Sequence, residues 1–220
     1  MLFDKDTYTA RRNRLARQVK EGIILLFGNN DTPVNYPSNV YKYRQDSSFL
    51  YFYGQHREGL VGVIDIDNKK EYLIGNDVDI EDIVWLGSVD HVSELAMQSG
   101  VEESAPMSKL AELVNQAKAQ GRKIHFLPPY RHDQMIQIMD LTGIHPSQQR
   151  NKASLALIMA VVDQRAVKTP AEIEEIERAC AIGYEMHTTA MRLCRAGVSE
   201  QYIAGVINGI ASGKGCMPSF

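Results

Sequence analysis

The sequence predicts an α/β domain, residues 1–165, in which a mixed β-sheet is flanked by helices in three layers, followed by an incomplete second domain, 166–220. Short apolar runs bounded by turn residues alternate with amphipathic segments along the first domain, as in layered α/β proteins. Two of these runs are joined by "DNKK" (67–70), a hairpin that makes their strands antiparallel and the sheet mixed. Beyond about residue 165 the pattern becomes that of one long helix.

Each element of the first domain is predicted from its own pattern. Apolar or aromatic runs between turn residues predict buried strands at 21–29, 48–54 ("SFLYFYG"), 123–129 and 154–164. Residues 60–75 are predicted to form two further strands, one on each side of "DNKK". Amphipathic segments, some closed by a glycine, predict helices at 4–20, 79–87, 88–100, 107–121 and 130–143. The first helix has Tyr8, Leu15 and Val19 inward, and the prolines and asparagines of 29–39 predict a loop.

The second domain opens with a strong helix-start signal. Thr169 is a cap, Pro170 suits the first helical position, and Glu172 falls three residues after the cap, which together predict a capping box. Ser199 can cap a second helix before the chain reaches "CMPSF". Two helices of this length cannot bury a core alone, so this domain is expected to be unfinished.

Composition and charge argue against several classes of function. The net charge of −3 leaves no broad basic field for nucleic acid, and no run approaches the ~20 apolar residues of a membrane span. The N-terminal residues carry charges where a signal peptide needs an apolar core, so a cytoplasmic location is expected. Cys180, Cys194 and Cys216 lack any zinc-binding spacing.

No motif in the chain amounts to a catalytic site. His91 and Glu94 share a helix face and could seed a metal site, but a surface pair is the better interpretation. "DVDIED" (77–82) lacks the glycine and glutamate of a calcium loop, and "GIASGKG" (209–215) lacks the Walker spacing. HExxH and GxSxG are both absent from the sequence. We therefore expect no catalytic and no metal-ligating residue in these 220 residues.

One segment resembles a known family. "YKYRQDSSFLYFYG" (41–54), here called the signature segment, closely resembles the signature of the N-terminal domain of Xaa-Pro aminopeptidases, within the creatinase/prolidase or "pita-bread" superfamily. "IVWLG" (83–87) is similar to the family's short tryptophan-bearing helix, and "RAVKTPAEIEEIERACAI" (165–182) to the junction where its catalytic domain begins. "CMPSF" (216–220) resembles the entry to that domain's first strand.

This resemblance implies a function for a longer parent protein. The parent would be a metallopeptidase that cleaves the bond before a penultimate proline, with two divalent metals, manganese or cobalt, held by two Asp, one His and two Glu. All five ligands would fall beyond Phe220. The expected partners are a peptide with a penultimate proline and a second copy in a homodimer, with neither nucleic acid nor membrane. The fragment alone would be inactive.

The resemblance also suggests roles for particular residues. Trp85 could contact substrate across a subunit interface, although a tryptophan packed at a domain or subunit surface is the more ordinary interpretation. Arg44, Gln45 and Asp46 are expected to organise the loop that leads into the predicted strand, with an Arg44–Asp46 charge-assisted pair.

Two other functions stay open at this stage. Some proteins of this architecture have lost the metal ligands and bind other proteins, so a non-enzymatic binding module is the main alternative. A creatinase-like amidinohydrolase is the third, and the form "RQDSSFLYFYG" favours the aminopeptidases over it.

Overall fold

A computed structural model describes residues 1–218, apart from the side chains of Ile80, Glu81 and Leu86. The chain divides into two compact units, Met1–Arg165 and the residues from Ala166 onward. The helices of the first unit are α1 Lys5–Val19, α2 Ser47–Tyr53, α3 Ile80–Leu86, α4 Val92–Gln98, α5 Ser108–Ala119, α6 His132–Thr142, α7 Pro146–Lys152 and α8 Leu155–Ala166. The last residue of α8, Ala166, is the first residue of the second unit. Its strands are β1 Ile23–Phe27, β2 Pro33–Tyr36, β3 Asn39–Val40, β4 Val61–Asp65, β5 Lys70–Ile74, β6 Glu103–Ala105 and β7 Ile124–Phe126.

The predicted mixed sheet is confirmed. In the described residues its strand order is β6-β5-β4-β1-β7, with β1 parallel to β7 and β5 parallel to β6. The strands β4 and β5 form the predicted hairpin and pair antiparallel, as do β1 and β4. The segment predicted to be a loop contains a separate small hairpin, β2–β3. Because β2 is exposed, its sequence has no apolar pattern from which a strand could be predicted.

The sheet is buried on both faces, which produces the three predicted layers. Successive residues of β1 point to opposite faces, so Ile24 and Leu26 join the core beneath α1, α2, α4 and α8. Ile23, Leu25 and Phe27 join the second core, formed with α5 and α6. The continuous apolar run of β1 follows from this double burial.

The prediction of a strand at 48–54 is wrong, because this run forms α2. Asp46 caps the helix, and Gly54 ends it in the left-handed conformation with φ +70°. Phe49, Phe52 and Tyr53 are buried at helical spacing, which a continuous aromatic run hides.

The prediction of a strand at 154–164 is also wrong, because this segment is part of α8. Leu157, Ala160 and Val161 are buried, whereas Leu155 and Met159 are exposed. The apolar residues outside the buried face obscured the helical period.

The second unit consists of α9, Pro170–Leu193, and α10, Glu200–Gly213, which pack against each other. The capping box of Thr169 and Glu172 and the cap at Ser199 are present as predicted. Residues 216–218 have no regular secondary structure, and the rest of the "CMPSF" prediction lies outside the described residues. No helix in the described part of the chain is long and apolar enough to cross a membrane.

Candidate functional site

The signature segment begins with a helix cap. Oδ1 of Asp46 accepts hydrogen bonds from the backbone N–H groups of Ser48, at 2.9 Å, and Phe49, at 2.8 Å. These bonds satisfy donors that the first turn of a helix leaves without an intrahelical partner. Asp46 therefore fixes the start of α2, and the loop it organises leads into a helix rather than a strand.

Gln45 joins two loops through one buried amide. Its Oε1 accepts from the backbone N–H of Asn29, at 2.7 Å, and of Asp46, at 2.8 Å. Its Nε2 donates to the carbonyl oxygens of Gln55, at 3.3 Å, and Arg57, at 2.9 Å. The amide therefore ties the chain after β1 to the chain on both sides of α2, which explains why a polar residue is buried here.

Asn29 and Tyr130 connect the same region to the chain that follows β7. Nδ2 of Asn29 donates to the carbonyl of Arg44, at 2.8 Å, and to the Tyr130 hydroxyl, at 3.2 Å. That hydroxyl donates to Oδ2 of Asp46, at 3.1 Å, and burial raises the pKa of Tyr130. The network lies beyond the carboxyl ends of the parallel strands β1 and β7, the edge of a sheet where α/β proteins commonly bind ligands.

The structure places the Arg44 side chain at the surface. The carboxylate of Asp46 accepts from Ser48, Phe49 and Tyr130. The Arg44–Asp46 pair expected from the sequence stays a prediction.

A groove of about 860 Å³ runs beside the signature segment. Tyr41, Tyr43 and His56 line one part of it, and Val78 and Val89, which flank α3 in the chain, line another. The Tyr43 hydroxyl donates to the carbonyl oxygens of Asn29 and Arg57, both at 3.2 Å, and burial raises the pKa of this tyrosine.

Charged side chains of both signs line this groove, since Lys42 and Arg57 lie there with the carboxylates. Asp31 and Glu58 both line it, and the pKa of Asp31 is raised by burial and then by the charge of Glu58. A concave surface with aromatic side chains and charges of both signs can hold a peptide.

Trp85 lies on α3 with 87% of its surface exposed. Its neighbours Ile83 and Val84 are also exposed, at 44% and 76%, so consecutive apolar side chains face solvent. Asp79 and Asp82 hold the start of this short helix through a capping box. Exposed apolar patches of this kind commonly mark contact surfaces, although the structure itself assigns Trp85 no partner.

Among the described residues, no three His, Cys, Asp or Glu side chains are grouped so that they could hold a metal ion. The pair His91 and Glu94 serves as a helix start, because Oε2 of Glu94 accepts from the His91 backbone N–H at 2.7 Å.

Sequence reasoning missed one serine–histidine pair. Nδ1 of the buried His125 lies 2.7 Å from Oγ of Ser154, and Nε2 lies 3.0 Å from the Glu21 carbonyl. Ser154 also accepts from the backbone N–H of Leu157, at the start of α8. Both ring nitrogens are therefore engaged inside the protein, and the pair is structural. No local sequence signal could have found it, since its members are 29 residues apart.

A family model described as "Aminopeptidase P, N-terminal domain" matches residues 8–125, a little over half of the chain. The chain belongs to this family. The residues matched by this family model include the signature segment, the Gln45 network and α3, whereas Tyr130 of the Asn29 network lies just beyond them.

Curated relatives extend the similarity along nearly all of the chain. Xaa-Pro aminopeptidase of Escherichia coli (strain K12) is 24% identical over 215 residues, 94% of this chain and 48% of that protein. Human Xaa-Pro dipeptidase is 20% identical over 217 residues, 96% of this chain and 43% of that protein. The chain therefore spans about half the length of the curated relatives it matches.

Solved structures share the fold. Aminopeptidase PepP of Pseudomonas aeruginosa superposes with a TM-score of 0.78 at 23% identity, covering 98% of this chain and 50% of that one. The low-pH form of Escherichia coli aminopeptidase P gives 0.76 at 22% identity, with 97% and 50% coverage. The aminopeptidase P fold thus extends across both units of the chain.

Proposed function

We propose that this chain is the N-terminal half of a metal-dependent Xaa-Pro aminopeptidase. It contributes to oligomerisation and substrate access, while hydrolysis of the bond before a penultimate proline takes place in the region equivalent to the second half of the relatives. The observation that carries the proposal is the family match over residues 8–125, supported by similarity to Xaa-Pro peptidases along 94% of the chain. The second unit, with α9 and α10, is the start of the catalytic domain in this proposal.

The described residues do not fit a metal centre, since no group of three ligand-type side chains occurs among them. The two divalent metals, manganese or cobalt, belong in this proposal to the complete enzyme. No step of the reaction is assigned to residues of this chain.

The chain's own contribution is a surface for substrate and subunit. Exposed Trp85 on α3, next to the groove beside the signature segment, would contact the peptide at a neighbouring subunit's active site in a homodimer. A flat indole ring suits contact with a proline ring, since both present apolar faces. Gln45 and Asp46 act indirectly by holding the wall of that groove in place.

The proposal also includes a cytoplasmic protein with no nucleic-acid or membrane partner. It is supported by the net charge of −3, which leaves no broad basic field, and by the cysteine content.

Cleavage of an Xaa-Pro peptide tests the proposal. The 220-residue chain is assayed with Mn²⁺ beside a chain extended through the region that corresponds to the second half of the relatives. Activity in the extended chain alone is the expected result. Cleavage by the 220 residues would contradict the assignment of hydrolysis to the other half. If neither chain cleaves the peptide although both are folded, the result would favour a non-enzymatic protein-binding module.

A further inference from the structure

A second, smaller cavity lies at the base of the β2–β3 hairpin. It has a volume of about 240 Å³, and the segment after β3 meets the segment after β7 there. Three cationic side chains line it: Lys42, Arg44 and Arg131. The other lining residues offer amide and hydroxyl groups, and none is acidic: Asn30, Thr32, Tyr41 and Tyr43. Two carboxylates outside the lining interact with Arg131, namely Asp133, which pairs with it, and Asp31, on which its charge acts, so the three cations outnumber these two.

Arg131 is held in position by hydrogen bonds from two of its guanidinium nitrogens, Nε and Nη2. Its Nη2 donates to the Asn30 carbonyl, at 2.9 Å, and to Oγ1 of Thr32, at 2.8 Å. Its Nε donates to Oδ1 of Asp133, at 3.2 Å, so part of its charge is compensated. Within the described residues no hydrogen bond engages Nη1. A guanidinium fixed in this way loses little entropy when it binds an anion.

Lys42 contrasts with other exposed lysines of the same unit. Lys70, Lys109 and Lys123 each lie within 2.9 Å of a glutamate oxygen. Lys42 is exposed, and across residues 1–218 the structure gives its ammonium neither a hydrogen bond nor an ion pair. Lys42 thus has no direct ion pair among the described residues, although it also lines the neighbouring groove that holds Asp31 and Glu58.

The size of the cavity limits what it can hold. Pockets for whole small molecules are typically about 300 Å³ or more, so this one suits a single charged group. Arginine and lysine together recognise oxyanions, with arginine supplying directed hydrogen bonds and lysine a point charge. We propose that Lys42, Arg44 and Arg131 form a binding site for one oxyanion group, the phosphate or carboxylate of a small ligand. This gives the arginine of the signature segment a function of its own, independent of hydrolysis.

Calorimetric titration of the 220-residue chain with inorganic phosphate, and separately with acetate, at constant ionic strength tests the proposal. Saturable binding of one equivalent is expected. Binding of phosphate would identify the ligand group as a phosphate, and binding of acetate would identify it as a carboxylate. Lys42→Met should weaken binding about tenfold, as expected for a charge-assisted contact. Lys152→Met, at another exposed lysine, should leave binding unchanged.

Arg131→Met provides a second variant, with folding checked by circular dichroism because Arg131 also holds the loop at Asn30. Backbone amide shifts at Thr32 and Tyr41 should move on titration of the unmodified chain, and for Lys42→Met the same shifts should need about tenfold more anion. Heats that do not saturate with either anion would overturn the proposal. So would equal losses for Lys42→Met and Lys152→Met, because binding would then follow net charge rather than this cavity.

Discussion

Nε of Arg12 lies 2.7 Å from Oε2 of Glu71, and the arginine side chain is completely buried. This pair joins α1 to β5, and Nη1 of Arg12 also donates to the carbonyl oxygens of Phe52 and Ser99. The guanidinium thus connects the first helix, the sheet and the ends of α2 and α4. A buried charge of this kind is tolerated because its donors are satisfied.

Replacing Arg12 with methionine should therefore lower the free energy of unfolding by about 3–5 kcal/mol, since it leaves a carboxylate and several carbonyl groups without their partner. Urea denaturation followed by circular dichroism measures the change. Arg14→Met, at an exposed position on the same helix, is the matched control and should change stability by less than about 0.5 kcal/mol. Equal effects of the two variants would show that Arg12 contributes only as a helix residue.

The cap at Asp46 gives a second prediction. Asp46→Ala removes the acceptor for the Ser48 and Phe49 amides and should cost about 1–2 kcal/mol of unfolding free energy. Asp46→Asn retains a carbonyl oxygen for these amides and should cost only a few tenths of a kcal/mol. If both variants lose the same stability by urea denaturation, the carboxylate charge rather than the cap is what matters.

The sequence contained the signals for this helix, although the aromatic run suggested a strand. Asp46 followed by two serines is a helix-start pattern, and Gly54 is a common residue at a helix end. At 154–164 the apolar run was longer than a typical strand, which itself favoured a helix. Length and caps therefore decide such cases better than apolarity does.

Other parts of the fold and site could not be predicted from local sequence. Strand β6 has exposed or half-buried residues, so it lacks an apolar pattern and depends on pairing with β5. The contacts of Gln45 with Asn29 and of Tyr130 with Asp46 join segments 16 and 84 residues apart. Such pairings follow from the topology of the sheet, which the periodicity of a single segment cannot specify. By contrast, the β4–β5 hairpin and the capping box at Thr169 are local and were predicted correctly.

A third prediction concerns Gly62 in β4. A Cβ atom at this position would lie 2.0 Å from Cε2 of the buried Tyr53 ring, a distance that real contacts do not reach. Gly62→Ala should thus destabilise the chain by roughly 1–3 kcal/mol or more, as overpacking does. Thermal unfolding provides the measurement. Gly183→Ala, in the interior of α9 where nothing lies within 4 Å, should instead be neutral or stabilising. A neutral Gly62→Ala would contradict the close packing of α2 on the sheet.

Stability should also depend on pH through His125. Burial lowers the pKa of His125 below its ordinary value of 6.5, so the folded protein keeps the ring neutral while the unfolded chain takes up a proton. Lys123, Glu21 and Asp67 also act on the ring through their charges. The stability that the neutral ring contributes is complete above about pH 6.5 and is lost as the pH falls through that value towards the lowered pKa.

The measurement is the free energy of unfolding from pH 5 to pH 8. His125→Gln should have a flatter profile between pH 5 and 6.5 than the unmodified chain. His132→Gln, which replaces an exposed histidine, should retain the original slope. Identical slopes for all three proteins would show that the His125 ring is protonated in the folded state as readily as in the unfolded one.

Trp85 allows the proposed subunit contact to be observed directly, because it is the single tryptophan of the chain. With 87% of its surface exposed, the indole should emit as a solvated tryptophan in the dilute 220-residue chain. In the extended, assembled enzyme its emission should shift to shorter wavelength as another subunit or a peptide covers it. Trp85→Ala should leave the unfolding free energy within about 0.5 kcal/mol, because the side chain packs against little within its own chain.

The same substitution should reduce kcat/KM for Xaa-Pro peptides about tenfold in the extended enzyme, as expected when an apolar contact with substrate is lost. Trp85→Phe keeps a flat apolar ring and should retain most of the activity, whereas Val84→Ala, next to it on α3, serves as the control for the helix itself. Loss of activity together with dissociation of the dimer would assign Trp85 to the interface. Loss of activity in an intact dimer would assign it to the substrate, and full activity of Trp85→Ala would exclude both roles.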